Sequence, residues 1–384
     1  MTLAFITNYF TPHQYLLSEA FNKIFDSYHF IETMNRPEVI PIGWQFDGKM
    51  PNYVITSENL QMAKHIVDVA DVVIIGMAPD SFLNYRHLHG LLNFRYSERI
   101  FKTKCKKWQL PLRFIKYYFR CNRHKNDYLL CASAYSAADY AITNSFIGKS
   151  FKWGYFPDVS KLEINELLSK KKENNIIHFL WVGRFIDWKH PEKAVYLAEY
   201  LKKSGYVFKM NMLGDGPMLD EIATLISKKG LSERINMLGS LKPSGVRSVM
   251  DASDVFIYTS DFNEGWGAVL NEAMASGCIA VASHAIGSAP FLIQDGVNGF
   301  LYQNDDIHTL TSVVEKILNM EYRQRIEIAT RAKDTISELW NANIAAQRLK
   351  KLAETLLSGD THFLYENGPC SCAPILTNNW FESM

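Results

Sequence analysis

The second half of the chain alternates short apolar runs with amphipathic helical patterns, and this alternation limits the fold more than any other feature of the sequence. Parallel strands need crossover helices, because each strand must enter the sheet in the same direction as the one before it. The alternation therefore predicts a parallel, doubly wound α/β sheet. The predicted strands are 177–182, 209–213, 235–238, 255–258 and 279–282, and the predicted helices are 191–204, 217–229, 244–252 and 267–276.

The first half shows the same alternation less clearly. Strands are predicted at 3–7, 72–76 and 140–143, and a helix is predicted at 15–25. A chain of 384 residues favours two domains, because a single hydrophobic core stops growing at about 250–300 residues. We therefore expect two α/β domains, with the polar stretch 159–175 as the linker region.

Two glutamates eight positions apart frame a glycine-rich turn after the predicted strand 255–258. Glu264 lies in the loop, and Glu272 lies inside the next helix, which ends near Gly277. The backbone amides of residues 265–268 gather at the helix N-terminus, whose partial positive charge suits a phosphate or a sugar hydroxyl. Two fixed carboxylates can accept hydrogen bonds from hydroxyls at two ends of one ligand. This turn, which begins at Asp261 and is called the acidic turn, is therefore a candidate ligand site.

A second glycine turn carries two cations. The predicted strand 177–182 runs into Gly183 and Arg184, Lys189 follows five positions later, and Pro191 stands where a helix is expected to begin. Arginine presents a planar fork to a phosphate, and lysine adds a point charge. Together with the acidic turn, this pair predicts a diphosphate-binding loop.

Several ordered motifs over residues 176–345 resemble the retaining glycosyltransferases of the GT-B fold, in particular the group-1 (family four) set. The resemblance implies two Rossmann-like doubly wound α/β domains that face a cleft, with a C-terminal helix that crosses back to the first domain. The motifs are Val182-Gly-Arg184 with Lys189, Leu213-Gly-Asp-Gly216-Pro, the Glu-x7-Glu turn, Ala275-Ser-Gly-Cys-Ile-Ala-Val and Asp295-Gly-Val-Asn-Gly299-Phe.

The resemblance also implies a division of the chain. Residues 1–158 would form the N-terminal acceptor-binding domain, and residues 176–345 would form the C-terminal nucleotide-sugar-binding domain. The last segment, 346–384, would be the helix and tail that return to the N-terminal domain.

By the same resemblance, Arg184 and Lys189 bind the diphosphate of the donor, Glu264 binds the donor sugar, and Glu272 binds the ribose hydroxyls. The diphosphate is the leaving group, so the two cations would stabilise the charge that develops on it, and Arg184, Lys189 and Glu264 form the catalytic set. The anomeric configuration would be retained and no metal would be required. The sequence contains no Asp-x-Asp motif, which fits that expectation, and no cofactor is expected.

The remaining donor-binding residues are glycines and one tryptophan. Gly183 belongs to this set, and the backbone amides of Gly265, Trp266 and Gly267 are expected to approach the sugar. Trp266 stands where the family more often has phenylalanine, which is expected to influence the choice of sugar. His190 stands where the family commonly has glycine, and the sequence offers no reason for it.

The acceptor-side candidates lie in the first half. The loop after the first predicted strand contains Asn8, His13 and Gln14, at the edge of the sheet where ligands bind in open α/β domains. His87 and Glu98 are further candidates, although His87 equally suits the surface of a helix.

The segment 99–125 contains ten Lys and Arg residues, no Asp or Glu, and several aromatic residues. Such a mixture suits an anionic membrane surface, to which each cation contributes about 1 kcal/mol. It equally suits a phosphorylated acceptor such as a lipid-linked diphosphate saccharide. The alternative is a solvated basic helix whose aromatic side chains pack inward.

Composition limits the class of protein. A formal net charge of +1 argues against general nucleic-acid binding. Six cysteines without metal-site spacing suggest reduced thiols in a cytoplasmic protein, and the pair Cys370 and Cys372 suits a redox pair, a metal ligand pair or an incidental one. No apolar stretch reaches the ~20 residues of a membrane span, and the N-terminus does not resemble a signal peptide.

The function expected from these features is retaining hexosyl transfer from a nucleotide-diphosphate sugar to a saccharide or lipid-linked acceptor. The setting would be bacterial cell-surface polysaccharide biosynthesis, such as capsule or lipopolysaccharide, in the cytoplasm or peripherally on the inner face of the membrane. Two alternatives are a sugar-nucleotide epimerase of the same fold and a non-catalytic nucleotide-sugar-binding subunit.

Overall fold

The computed structural model of the chain forms two compact units, each built on its own parallel sheet. The first unit comprises Met1–Pro157 and Leu339–Thr377, and the second comprises Asp158–Glu338 and Asn378–Met384. The residues that the structure describes are 1–35, 48–102, 107–122, 124–158, 160, 162–171, 176–360, 362 and 365–383.

The first unit contains a seven-stranded sheet with helices between its strands. Its strands are β1 (Thr2–Thr7), β2 (Ser27–Glu32), β3 (Val54–Ile55), β4 (Val72–Ile75), β5 (Leu92–Ser97), β6 (Asp127–Cys131) and β7 (Ser150–Lys152). Its first helices are α1 (Pro12–Ile24), α2 (Leu60–Val69), α3 (Asn84–Leu88), α4 (Leu110–Tyr117) and α5 (Ser136–Ala141). The strand order is β3-β2-β1-β4-β5-β6-β7, and every neighbouring pair is parallel.

The prediction of a strand at 140–143 was wrong. Tyr140 lies in the last turn of α5, and the chain then turns through Asn144 and Phe146, whose φ angles are 54° and 55°. Aromatic and β-branched side chains favour strands, but packing against neighbouring elements overrides that preference. Here the Tyr140 ring packs against Phe146, with 5.3 Å between the ring centroids. The ring is therefore buried although the residue lies in a helical turn.

The second unit contains a six-stranded parallel sheet in the order β10-β9-β8-β11-β12-β13. These strands are β8 (Ile177–Val182), β9 (Phe208–Leu213), β10 (Ile235–Gly239), β11 (Val255–Tyr258), β12 (Ile279–Ser283) and β13 (Phe300–Tyr302). The helices are α6 (Ile164–Lys171), α7 (Pro191–Lys203), α8 (Leu219–Lys228), α9 (Pro243–Asp251), α10 (Val269–Ala275), α11 (Ala289–Leu292), α12 (Ile307–Leu318) and α13 (Tyr322–Asp334). The prediction of a parallel α/β sheet is confirmed, because every neighbouring pair of strands is parallel. Apolar runs such as β11 suit the centre of a sheet of this kind, whose strands are buried on both faces.

The segment 159–175, which we expected to link the domains, contains helix α6 of the second unit. Leu167 is fully buried, and the Lys171 ammonium donates hydrogen bonds to the carbonyls of Ser276 and Gly277 at 2.8 and 2.7 Å. These carbonyls follow the end of α10, so the cation also satisfies acceptors at a helix C-terminus.

The last long helix, α14 (Ala342–Leu357), belongs to the first unit, as the resemblance implied. The Lys350 ammonium donates a hydrogen bond of 2.7 Å to the carbonyl of Ile24 at the end of α1. The final residues, Asn378–Met384, belong to the second unit, where Phe381 stacks on His284 with ring centroids 5.0 Å apart. In the described part of the chain, no helix is long and apolar enough to cross a membrane.

Candidate active site

Two loops at the carboxyl edge of the second sheet bring Lys189 and Glu264 together. The first loop follows β8 and the second follows β11, and these strands are parallel neighbours, so their carboxyl ends lie side by side. The Lys189 Nζ atom forms an ion pair with the Glu264 Oε2 atom, and each side chain is 13% exposed. The predicted diphosphate-binding cation and the predicted sugar-binding carboxylate therefore share one site.

Tyr258, the last residue of β11, lies beneath this ion pair. Its hydroxyl is 3.5 Å from the Lys189 Nζ atom, which also lies 5.4 Å from the centroid of the tyrosine ring. Burial and the neighbouring Glu264 carboxylate raise the pKa of the Tyr258 hydroxyl well above its usual value. Sequence reasoning treated this tyrosine only as a buried strand residue. Its position directly before the acidic turn was the signal that could have identified it.

Gly267 allows the acidic turn to lie close to Tyr258. Its φ angle is +83°, and a Cβ atom there would be 2.3 Å from the tyrosine hydroxyl oxygen. Both the backbone conformation and the close approach require glycine at this position.

The loop after β8 is fixed from below by a chain of two hydrogen bonds. The indole of Trp181 donates to the Thr259 hydroxyl at 2.8 Å, and that hydroxyl donates to the carbonyl of Lys189 at 2.6 Å. Trp181 and Thr259 are both buried, so the backbone at Lys189 is held by side chains that are shielded from water.

The glycines of Leu213-Gly-Asp-Gly216 let that turn contact the same loop. A Cβ atom on Gly214 would be 1.9 Å from the carbonyl oxygen of Gly183, and one on Gly216 would be 2.4 Å from the carbonyl oxygen of Phe185. The Phe185 amide donates to the Asp215 carbonyl at 2.9 Å. The motif therefore supports the backbone that carries Gly183 and Arg184.

Arg184 is exposed, and its guanidinium lies over the Trp188 ring, 5.5 Å from the centroid. Among the described residues, no carboxylate forms an ion pair with it. The side chain is therefore oriented by a cation–π contact while its donors face solvent.

Glu272 lies in α10, and burial raises the pKa of its carboxyl to about 7, although Arg247 opposes this. Arg247 donates to the backbone carbonyl of Glu272, at 3.3 Å, rather than to the carboxylate. The charge of Glu272 also contributes, after burial and Glu264, to the raised pKa of Tyr258.

The Trp266 side chain holds the acidic turn against the interior of the second unit. Its indole is buried and donates a hydrogen bond to the Asn271 side chain at 2.9 Å, and the ring lies 6.3 Å from Phe291. The expectation that this side chain influences sugar choice lacks structural support, because the ring points into the core of the unit.

In the first unit, Tyr155 brings two acceptor-side candidates together. Its hydroxyl donates to the Glu98 Oε1 atom at 2.9 Å, and its ring lies 5.7 Å from the imidazole of His13. Burial lowers the pKa of His13, so this imidazole favours the neutral form. Tyr155 was missed by sequence reasoning because it lies far from both partners in the chain.

Three other candidates have local structural roles. Gln14 forms a capping box with Thr11 at the start of α1. Asn8 accepts a hydrogen bond from the Thr7 hydroxyl at 3.2 Å. His87 contacts Asp127, the first residue of β6, at 2.9 Å, so it lies at the opposite edge of the sheet from the other candidates.

The described residues contain neither a metal-binding cluster nor a disulfide bond. Within the described ranges, no group of three or more His, Cys, Asp or Glu side chains could hold a metal ion. Cys370 is buried and Cys372 is exposed, and both are free thiols.

The sequence matches a protein-family model and known proteins over part of its length. Residues 161–334 match the family model "Glycosyl transferases group 1". A putative colanic acid biosynthesis glycosyltransferase of Salmonella typhimurium, WcaL, is 27% identical over 185 residues, which cover 47% of this chain and 45% of WcaL. The chain thus matches less than half the length of that relative.

The whole chain is similar in fold to solved glycosyltransferase structures. Anabaena Alr3699/HepE, solved in complex with UDP, has a TM-score of 0.67 at 17% identity, over 93% of this chain and 100% of that one. WaaG, a glycosyltransferase involved in lipopolysaccharide biosynthesis, has a TM-score of 0.59 at 13% identity, over 94% and 100% of the two chains. The chain therefore has the GT-B fold, and its residues 161–334 are similar to the group 1 glycosyl transferases.

Proposed function

We propose that this protein is a retaining glycosyltransferase that moves a sugar from a nucleotide-diphosphate sugar to a saccharide or lipid-linked acceptor. The observation that carries the proposal is the cluster of Lys189, Glu264 and Tyr258 in the unit that matches the family. UDP is bound to HepE, which has the same fold, and this supports a nucleotide donor.

The donor would span the two loops. Its diphosphate would contact the Lys189 ammonium and the exposed Arg184 guanidinium, while a sugar hydroxyl would donate to the Glu264 carboxylate beside Lys189. The Glu272 carboxyl would accept hydrogen bonds from the ribose. Because Lys189 and Glu264 are already in contact, the diphosphate and the sugar would be held at neighbouring points.

In the proposed reaction, the bond between the anomeric carbon and the diphosphate oxygen breaks while an acceptor oxygen bonds to the same face of the sugar. The acceptor proton passes to the departing phosphate. Arg184 and Lys189 would stabilise the negative charge on the leaving group, so these cations would supply the role that a divalent metal has in other transferases. Glu264 and Glu272 would bind hydroxyls and would take no part in acid–base steps.

The acceptor would contact the first unit at Glu98, Tyr155 and His13. Glu98 also accepts a hydrogen bond from the Lys102 ammonium at 3.1 Å, so its carboxylate has two donors that fix its orientation. A neutral imidazole and a fixed carboxylate suit the hydroxyl groups of a saccharide.

A membrane surface is the proposed location. Residues 103–106 and 123 of the basic segment 99–125 lie outside the described residues. In the rest of the segment, several apolar side chains are exposed to solvent instead of packing inward. Trp108 is 69% exposed, Leu112 is 68% exposed and Ile115 is 55% exposed. Apolar groups among cations favour the headgroup region of an anionic bilayer. The exposed apolar groups support peripheral binding to a membrane. The proposed setting is the cytoplasmic face, in the synthesis of a cell-surface polysaccharide, and the names of the similar proteins WcaL and WaaG support that pathway.

The proposal is tested by incubating the protein with a panel of nucleotide sugars, with and without saccharide and lipid-linked acceptors, and by determining the anomeric configuration of the product by NMR. We expect acceptor-dependent transfer with retention, and Arg184→Ala should lower turnover about 10²–10³-fold, as the loss of one charge-stabilising donor does. Conversion of the donor alone into another sugar nucleotide would indicate an epimerase. Full turnover in Arg184→Ala would contradict the diphosphate assignment.

A further inference from the structure

His190 has a backbone conformation that side chains rarely adopt. Its φ and ψ angles are 49° and 54°, in the left-handed region, and it immediately precedes α7. Glycine adopts this conformation without steric cost, which explains why glycine is common at this position in the family that the sequence resembles. A histidine at this position is expected to contribute through its side chain, because its backbone conformation is unfavourable.

Both nitrogens of the His190 ring face carboxylates. The Nδ1 atom is 2.9 Å from the Glu192 Oε1 atom, and the Nε2 atom is 3.5 Å from the Asp261 Oδ2 atom. A neutral imidazole can donate through only one nitrogen, so this arrangement favours the doubly protonated, positively charged ring. Accordingly, the hydrogen bonds to Asp261 and then Glu192 raise the pKa of His190 to about 9, against the opposing effects of burial and Lys193.

The two carboxylates belong to different loops. Glu192 lies in the first turn of α7, directly after the loop that carries Arg184 and Lys189. Asp261 begins the acidic turn, where its side chain accepts a hydrogen bond from the Asn263 amide at 2.8 Å and its carbonyl accepts one from the Glu264 amide at 3.1 Å.

A backbone bond joins the loops at the same place, since the Asp261 amide donates to the Trp188 carbonyl at 2.9 Å. Lys193, whose charge opposes that of the ring, is itself paired with Asp305 at 2.6 Å. The imidazolium therefore supplies the positive charge between Glu192 and Asp261.

We propose that His190 is a positioning residue of the donor site: it cross-links the diphosphate-binding loop to the acidic turn and so sets the distance between Lys189 and Glu264. The inference rests on the proposed function and adds to it a residue that holds the two donor-binding loops together. Loss of the positive charge at high pH should loosen the turn and weaken donor binding while the catalytic cations remain in place.

Two variants test the cross-link. His190→Gly keeps the left-handed backbone and removes the ring, and His190→Asn keeps a polar side chain that tolerates this conformation but cannot become charged. At pH 7 we expect the donor KM to rise about tenfold in both variants with a smaller change in kcat, since displacing a binding group by about 1 Å costs up to about 10²-fold.

The pH profile separates positioning from a merely structural effect. The folded pKa of His190 is raised above its usual 6.5, so the stabilising effect is complete below about pH 6.5 and is lost as pH rises through about 9. The donor KM and the melting temperature of the wild type should therefore approach those of His190→Gly by pH 10. An equal KM at pH 7 would overturn the inference, and so would a difference that is the same at pH 7 and pH 10.

Arg184→Ala distinguishes this failure from that of the proposed function. If Arg184→Ala weakens donor binding while His190→Gly does not, only the positioning role of His190 is overturned. If neither change affects donor binding, the donor site itself has been assigned wrongly.

Discussion

Gly267→Ala should destabilise the second unit and disturb the acidic turn, and the structure gives the size of the effect. The φ angle of +83° costs an alanine about 1–3 kcal/mol. The new Cβ atom would also lie 2.3 Å from the Tyr258 hydroxyl oxygen, and overpacking of this kind costs about 1–3 kcal/mol. We therefore expect the free energy of unfolding to fall by about 2–6 kcal/mol.

A second substitution separates the two contributions. Tyr258→Phe removes the hydroxyl oxygen, and the next ring atoms would be 3.1 Å from the added Cβ, which is tight but tolerable. In the Gly267→Ala/Tyr258→Phe double variant, about 1–3 kcal/mol should therefore return, whereas the cost of the backbone conformation should persist.

The assay is chemical denaturation of the wild type, both single variants and the double variant, followed by tryptophan fluorescence. Tyr258→Phe alone serves as the matched control for loss of the hydroxyl. The reasoning would be refuted if Gly267→Ala were as stable as the wild type, or if the double variant were no more stable than Gly267→Ala.

The other predictions concern pH, the acceptor and the membrane. Burial raises the pKa of Glu272 from 4.5 to about 7, so protein stability should decline as pH rises between these values. Ribose hydroxyls bind the ionised form, so nucleotide binding at pH 6.5 should release a proton, which calorimetry in two buffers detects and Glu272→Gln should abolish. Glu98→Gln should raise the acceptor KM several-fold without changing donor hydrolysis, and equal acceptor kinetics would refute this. Replacing Trp108 and Ile115 by alanine should reduce cosedimentation with anionic vesicles while leaving activity on a water-soluble acceptor unchanged; unchanged sedimentation would contradict a membrane role.

Five of the six strands of the second unit could be predicted, because they are mainly apolar runs separated by clear helical patterns. The sixth, β13 (Phe300–Tyr302), was not predicted, because it has only three residues. The contact between Lys189 and Glu264 was implied by the two motifs and by the parallel order of their strands. The Tyr258 contact and the His190 cross-link could not be predicted, because each depends on which side chain from another loop lies opposite.

The first unit was harder to interpret because several of its polar side chains have structural partners within the unit. In the sequence alone, such residues look the same as ligand-binding residues. Gln14 caps helix α1, and the His87 imidazole forms a hydrogen bond with the Asp127 carboxylate, forty positions away in the chain. Tyr155 connects His13 and Glu98 through contacts that only the folded chain creates. Sequence spacing therefore placed Asn8, His13 and Gln14 in one loop but did not show which of these side chains make local contacts.

The central claim is that Arg184 and Lys189 bind the diphosphate of a nucleotide sugar. The most direct test is calorimetric titration of the wild type, Arg184→Ala and Arg184→Lys with ADP, GDP, UDP, CDP and dTDP. We expect one nucleotide to bind the wild type at a single site, with affinity reduced at least about tenfold in Arg184→Ala and partly restored in Arg184→Lys, which keeps the charge but loses the fork. Absence of binding to the wild type, or equal affinity in all three proteins, would contradict the claim.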